Sequence, residues 1–147
     1  MKTALLDVNV LTALHWPNHE HHLAAHRWAA ARPRARWATC PLTQLGFLRT
    51  ISNPVITPDA LSPAEALALL DVSRRQATHE FWPDDADVRD ALKDLRAPLQ
   101  GHKQLNDAYL LALAVRRRGV VATFDRGLQL LAARGADSAI EIISTHV

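Results

Sequence analysis

Apolar and polar positions along the chain predict short strands that alternate with helices. Short apolar runs, typical of buried strands, occupy about 2–6, 36–40, 78–82, 120–124 and 139–143. Helical spacing falls over about 8–15, 19–31, 41–52, 62–76, 85–95, 106–118 and 128–133. Because alternating strands and helices form parallel sheets covered on both faces, we predict an α/β fold, a three-layer α/β/α sandwich with a mainly parallel central sheet.

Two local motifs predict helix ends. Ser62, Pro63 and Glu65 form the pattern of a capping box at the start of one helix. Gly119 is expected to terminate the helix 106–118, which would place Asp107 in that helix's first turn.

The composition is that of one soluble globular domain spanning residues 1–147. The chain is 48% hydrophobic and 22% charged, and its single cysteine, Cys40, excludes an internal disulfide and a multi-cysteine zinc site. No run approaches the roughly 18 apolar residues of a membrane span, and residues 1–10 do not resemble a signal peptide. We therefore expect a cytoplasmic protein without membrane contact. Arginines dominate the 17 basic residues and permit a polyanionic partner, although the net charge of +2 does not require one.

Candidate chemistry lies where the predicted strands end. Asp7 and Asp125 follow two strands directly, while Asp107 and Gln44 stand near the starts of helices. In a parallel sheet these positions converge on one crevice, and clustered carboxylates favour a hard cation such as Mg²⁺ or Mn²⁺. One such aspartate is ordinarily a helix N-cap that needs no ligand. Three of them together favour a metal site.

Several motifs in order resemble the PIN-domain ribonucleases, and among them the VapC-type toxins of bacterial toxin–antitoxin pairs. They are Met1-Lys-Thr-Ala-Leu-Leu-Asp-Val-Asn-Val-Leu, Trp37-Ala-Thr-Cys-Pro-Leu-Thr-Gln-Leu-Gly-Phe-Leu-Arg, Phe81-Trp-Pro-Asp-Asp, Asn106-Asp-Ala-Tyr-Leu-Leu-Ala-Leu-Ala and Thr123-Phe-Asp-Arg. The resemblance implies an α/β/α sandwich, a Mg²⁺- or Mn²⁺-dependent endoribonuclease, an RNA substrate and a cognate antitoxin that blocks the site. We also expect a homodimer.

The resemblance assigns the acidic positions one by one. Asp7 matches the first, Asp107 the third and Asp125 the fourth, so these three are the expected catalytic metal ligands. Gln44 stands at the second, where many relatives have glutamate, and it is expected to orient water. Asn9 and Thr123 are expected to support the ligands.

Beyond the acidic positions, Arg49 lies about one and a half turns past Gln44 and is expected to guide an RNA phosphate. Water attack on the phosphodiester would leave products with a 5′-phosphate.

Three alternatives remain at this level. Gln44 allows a catalytically weak PIN domain that mainly binds RNA or its antitoxin. A phospho-accepting receiver module would need a lysine at the end of a late strand, and a haloacid-type phosphatase would need Asp-x-Asp where this chain has Asp7-Val8-Asn9. Both of the latter fit poorly.

His19, His22 and His26 share a helical face, which we interpret as a polar surface rather than a zinc site.

Overall fold

A sheet of five parallel strands forms the centre of the computed structural model, which describes residues 1–93, 101–132 and 136–146. The strands are β1 (Ala4–Leu6), β2 (Trp37–Thr39), β3 (His79–Phe81), β4 (Val120–Thr123) and β5 (Ile140–Ile142). Their order is β3-β2-β1-β4-β5, and every neighbouring pair is parallel. The predicted parallel sheet is confirmed, with strands shorter than the apolar runs.

Helices cover both faces of this sheet. In the described ranges they are α1 (Val8–His15), α2 (His22–Ala30), α3 (Pro41–Ile51), α4 (Pro63–Arg74), α5 (Val88–Leu92) and α6 (Lys103–Arg116). The helix predicted at 128–133 is instead a 3₁₀ turn, Arg126–Leu130, and a second such turn spans Asp137–Ala139. The end of the helix predicted to residue 95 lies outside the described residues.

Alternation along β1 separates two cores. Ala4 and Leu6 pack with α1, α3 and α4, whereas Leu5 faces the opposite side and packs with α6. The helices therefore form one layer on each face, as the α/β/α prediction requires. No helix in the described ranges is long and apolar enough to cross a membrane.

The ends of two helices test the local motifs. At α4, the Ser62 hydroxyl accepts from the Glu65 N–H and the Glu65 carboxylate accepts from the Ser62 N–H, which confirms the capping box. At the end of α6, Arg118 rather than Gly119 takes the left-handed conformation, with φ 56°. A Cβ on Gly119 would lie 2.6 Å from the Thr3 carbonyl oxygen, so this glycine allows a close approach to the chain before β1.

Candidate acidic site at the carboxyl ends of the strands

The sheet order places the expected crevice between β1 and β4. The chain passes from β1 to β2 on one side, while β4 pairs with β1 on the other, so the strand order reverses at this point. Asp7 directly follows β1, and its N–H donates to the Ala122 carbonyl of β4 at 3.0 Å. Asp125 lies two residues beyond β4. Asp7 and Asp125 therefore stand at the carboxyl ends of neighbouring strands, on the two sides of the crevice.

Asp7 is both a helix cap and a partly buried carboxylate. Its Oδ1 accepts from the Val8 N–H at 2.8 Å at the start of α1, and its Oδ2 accepts from the Thr123 hydroxyl at 2.7 Å. Burial raises the pKa of Asp7, the two hydrogen bonds oppose that effect, and the charge of Asp125 adds to it. Asp7 is thus the N-cap of α1, but its two hydrogen bonds do not fully offset the cost of burying its negative charge.

The Thr123 hydroxyl joins the two sides of the crevice. It donates to Asp7 and accepts from the Asp125 N–H at 3.0 Å and from the Asn9 side-chain amide at 3.4 Å. One donated and two accepted bonds use all the capacity of a hydroxyl group. Asn9 Oδ1 is buried without a hydrogen-bond partner in the described structure, which is costly unless a bound group or water satisfies it.

Asp107 approaches the same crevice from α6. This helix begins at Lys103, so Asp107 lies in its second turn, and the expectation of a first-turn position is wrong. Burial, followed by the charges of Asp7 and Asp125, raises the pKa of Asp107 to about 6. Three carboxylates therefore influence one another, and the arrangement favours a proton or a cation at Asp107.

A cleft of about 230 Å³ opens beside Asp7 and Asp107. The α3 residues Leu42, Gly46 and Arg49 line it at steps of four and three, so they share one face of that helix. A Cβ on Gly46 would lie 2.6 Å from a Val8 methyl, so a larger residue here would require the Val8 side chain or α3 to shift. The cleft is thus lined both by carboxylates and by the Arg49 side chain.

Gln44 does not line this cleft. It follows Leu42 by two residues, or about 200° around the helix, and therefore leaves the cleft face. Its amide instead donates to the Thr39 hydroxyl at 2.9 Å, and Thr39 in turn bonds to the His79 ring. Sequence reasoning placed Gln44 at the helix start correctly but missed Leu42, Gly46 and Asn106, which line the cleft. Helical spacing from Arg49 is the signal that could have identified Leu42 and Gly46.

The histidine-rich segment has a structural role. His22 Nδ1 and His26 Nε2 bond to the Ala13 and Leu14 carbonyl oxygens, which the end of α1 would otherwise leave without a helical partner. Within the described part of the chain, no three His, Cys, Asp or Glu side chains are grouped tightly enough to hold a metal ion as they stand. Asp7, Asp107 and Asp125 nevertheless lie near enough for their charges to act on one another.

The fold and the crevice define a class: parallel α/β/α domains with an acidic cluster at the point where the strand order reverses. Comparison with known proteins gives the family. The model of the PIN domain matches residues 4–134. The chain therefore belongs to the PIN-domain family, among its VapC-type ribonucleases.

Individual relatives support this placement. The chain is similar to Ribonuclease VapC39 of Mycobacterium tuberculosis, at 43% identity over 133 residues, 90% of this chain and 96% of the relative. It is equally similar to Ribonuclease VapC38 of the same organism, at 43% over 143 residues, 96% and 98% of the two chains. A crystal structure of VapBC2 from Rickettsia felis bound to a promoter DNA fragment has a similar fold, with a TM-score of 0.67 at 11% identity over 97% of this chain and 99% of that one.

Proposed function

We propose that this protein is an endoribonuclease that hydrolyses RNA phosphodiesters at Asp7, Asp107 and Asp125 with a divalent cation. The observation that carries the proposal is that these three carboxylates lie at one crevice, where burial and then the charges of Asp7 and Asp125 raise the pKa of Asp107 to about 6. The names of the VapC relatives, which are ribonucleases, support the same reaction.

The donor groups fit a hard divalent cation. Carboxylate oxygens are the ligands that Mg²⁺ and Mn²⁺ prefer, and a cation would remove the repulsion among the carboxylates. The buried Asn9 Oδ1, which has no partner in the described structure, is suited to accept a hydrogen bond from water. We propose Mg²⁺ or Mn²⁺, with Asp7 and Asp107 as the main ligands and Asp125 as a further one.

The cation and the side chains around it would have separate roles in the reaction. A bound divalent cation would supply activation of water and would offset charge on the leaving oxygen. Thr123 holds the Asp7 carboxylate in place, and Asn9 holds Thr123. Arg49, which also lines the cleft, would attract and orient a phosphate. Gln44 would act only indirectly, through Thr39.

We further propose that the protein is the toxin of a type II toxin–antitoxin pair, acts in the cytoplasm, and binds a cognate antitoxin as a homodimer. The VapBC neighbour supports a partner of this kind. Exposed apolar side chains on α3 and α4, namely Leu45, Leu67 and Val72, supply surface for association. Light scattering of the purified protein tests the dimer: a monomer at micromolar concentration would contradict it.

The catalytic proposal is tested with the Asp7→Asn variant and a structured RNA. Cleavage in Mn²⁺ or Mg²⁺ should fall by more than roughly a hundredfold, since even groups behind metal ligands contribute about 10–100-fold. The products should carry 5′-phosphates. Asp71→Asn, which makes the same charge change at an ion pair on α4, should keep full activity. Cleavage by Asp7→Asn at the native rate, or by the native protein in excess chelator, would refute the metal mechanism.

A further inference from the structure

A second and larger cavity, of about 370 Å³, lies against α2 and α4 and shares no lining residue with the acidic cleft. Its lining includes Trp28, Ala29, Arg32, Arg36, Trp37 and Ser73. Arg36 directly precedes β2, so the cavity reaches the amino end of the sheet, whereas the carboxylates stand at the carboxyl end. A ligand here would occupy a place separate from the reacting phosphodiester.

Two tryptophans give the cavity aromatic walls that are held in fixed positions. Trp28 Nε1 donates to the Glu141 carboxylate at 2.7 Å, and the Arg32 guanidinium lies 4.5 Å from the Trp28 ring. Arg32 also donates to the Lys2 carbonyl at 3.1 Å. The ring of Trp37, which also lines the cavity, packs 4.7 Å from the ring of His79. Rigid aromatic walls lower the entropic cost of binding a flat ring.

Arg32 and Arg36 line the cavity, whereas no aspartate or glutamate of the described residues does. Arg32 pairs with Glu141 at 3.6 Å, so Arg36 is the arginine suited to bind a further anion. Glu80 pairs with Arg36 at 2.9 Å from outside the cavity, but the Arg36 side chain is 53% exposed and keeps donors for a further anion. The volume falls within the roughly 300–1,000 Å³ of small-molecule sites. A flat ring with an attached anion matches these features.

We propose that this cavity binds one nucleotide unit, with the base against Trp28 and Trp37 and the phosphate at Arg36. The same chemistry is presented by a free nucleoside monophosphate and by a nucleotide within single-stranded RNA. Base stacking on aromatic side chains and charge-assisted bonds from arginine are general means of holding such a unit. The site requires no cation at the carboxylates.

Calorimetric titration of AMP into the full chain, in buffer with EDTA, tests the proposal. Ala29→Leu places a larger side chain in the cavity without changing charge and should weaken AMP binding by more than tenfold. Ala30→Leu is the matched control, because residue 30 is exposed on the same helix and does not line the cavity. Absence of AMP binding at millimolar concentration, or equal binding by both variants, would overturn the proposal.

A second pair of variants tests the phosphate contact. Arg36→Ala should weaken AMP about tenfold, the usual effect of one charged hydrogen bond, and should leave adenosine binding unchanged. Arg34→Ala is the matched control, because Arg34 carries the same charge two residues away, is exposed and does not line the cavity. This variant should have little effect on AMP binding. Equal losses of AMP affinity in the two variants would mean that AMP is attracted only by the general positive charge of this segment, which would contradict a specific phosphate contact at Arg36.

Competition with short single-stranded RNA identifies the source of the nucleotide. Displacement of AMP by RNA would mean that the cavity holds part of the substrate strand, whereas AMP binding without displacement would mean a free-nucleotide site. Displacement of AMP by inorganic phosphate alone at equal concentration would refute a role for the aromatic walls. Because EDTA removes the divalent cation, these outcomes do not depend on whether the chain cleaves RNA.

Discussion

Asp107→Asn should stabilise the cation-free protein at neutral pH. The folded state holds the Asp107 proton more tightly than the unfolded chain does, since its pKa is raised from 3.8 to about 6. As pH rises from 3.8 to 6, the unfolded state loses this proton first, so the free energy of unfolding falls. Above pH 6 Asp107 is ionised in the folded state, and its burial near other carboxylates then destabilises the protein fully. The uncharged amide of Asp107→Asn, which has the same shape, removes this destabilisation.

The size of the effect follows from the shift. About two pKa units correspond to roughly 3 kcal/mol as an upper limit. Asp107 keeps partial contact with water, so we halve this figure for solvent screening and expect about 1.5 kcal/mol at pH 7.5. At pH 5 most of the folded protein is protonated at Asp107, and the expected gain is about half as large.

Urea unfolding with EDTA present, at pH 7.5 and pH 5, measures this difference. Asp71→Asn is the matched control and should change the free energy of unfolding by less than about 0.5 kcal/mol. When Mn²⁺ is added to each protein, the free energy of unfolding should rise more for the native protein than for the Asp107→Asn variant, because the variant lacks a proposed ligand. Destabilisation by Asp107→Asn at pH 7.5, or a gain that is the same at both pH values, would refute the reasoning.

Three further predictions concern α3. Arg49→Ala should weaken binding of all RNAs to a similar degree and flatten the salt dependence by about one unit, as measured by titrations at several salt concentrations. Gln44→Glu should change the Mn²⁺ affinity measured by calorimetry by less than about twofold, because the Gln44 side chain bonds to Thr39. A tenfold gain in Mn²⁺ affinity would show instead that residue 44 belongs to the acidic site. Gly46→Ala should force α3 away from Val8, lowering the melting temperature and raising the KM for RNA, and wild-type values for both would contradict the close contact.

Local chemistry in the sequence was sufficient to predict most elements. Apolar runs and helical spacing predicted the strands and helices, and the side chains of Ser62 and Glu65 form the predicted capping box. These features succeed because they depend on neighbours within a few residues. The positions of Asp7 and Asp125 at strand ends followed from the same patterns, since carboxyl ends of parallel strands share one edge.

Other features depended on helix phase and on contacts between distant segments. The resemblance placed Gln44 with the carboxylates, and the start of α3 at Pro41 was predicted correctly, but the direction of the Gln44 side chain depends on its contact with Thr39, in another element. The start of α6 at Lys103 likewise moved Asp107 into the second turn. The left-handed conformation at Arg118 and the close approach of Gly119 to Thr3 were likewise not predicted from the sequence.

The sequence by itself determined the order of elements, the parallel sheet and the strand-end aspartates, because these depend on local preference and periodicity. Only the tertiary structure decided that Thr123 joins Asp7, Asn9 and the backbone of Asp125, and that Trp28 and Trp37 face one cavity. Those contacts join residues up to 116 positions apart in the chain. The physical reason is that burial, repulsion and cavity shape arise from distances between segments, which no short window of sequence contains.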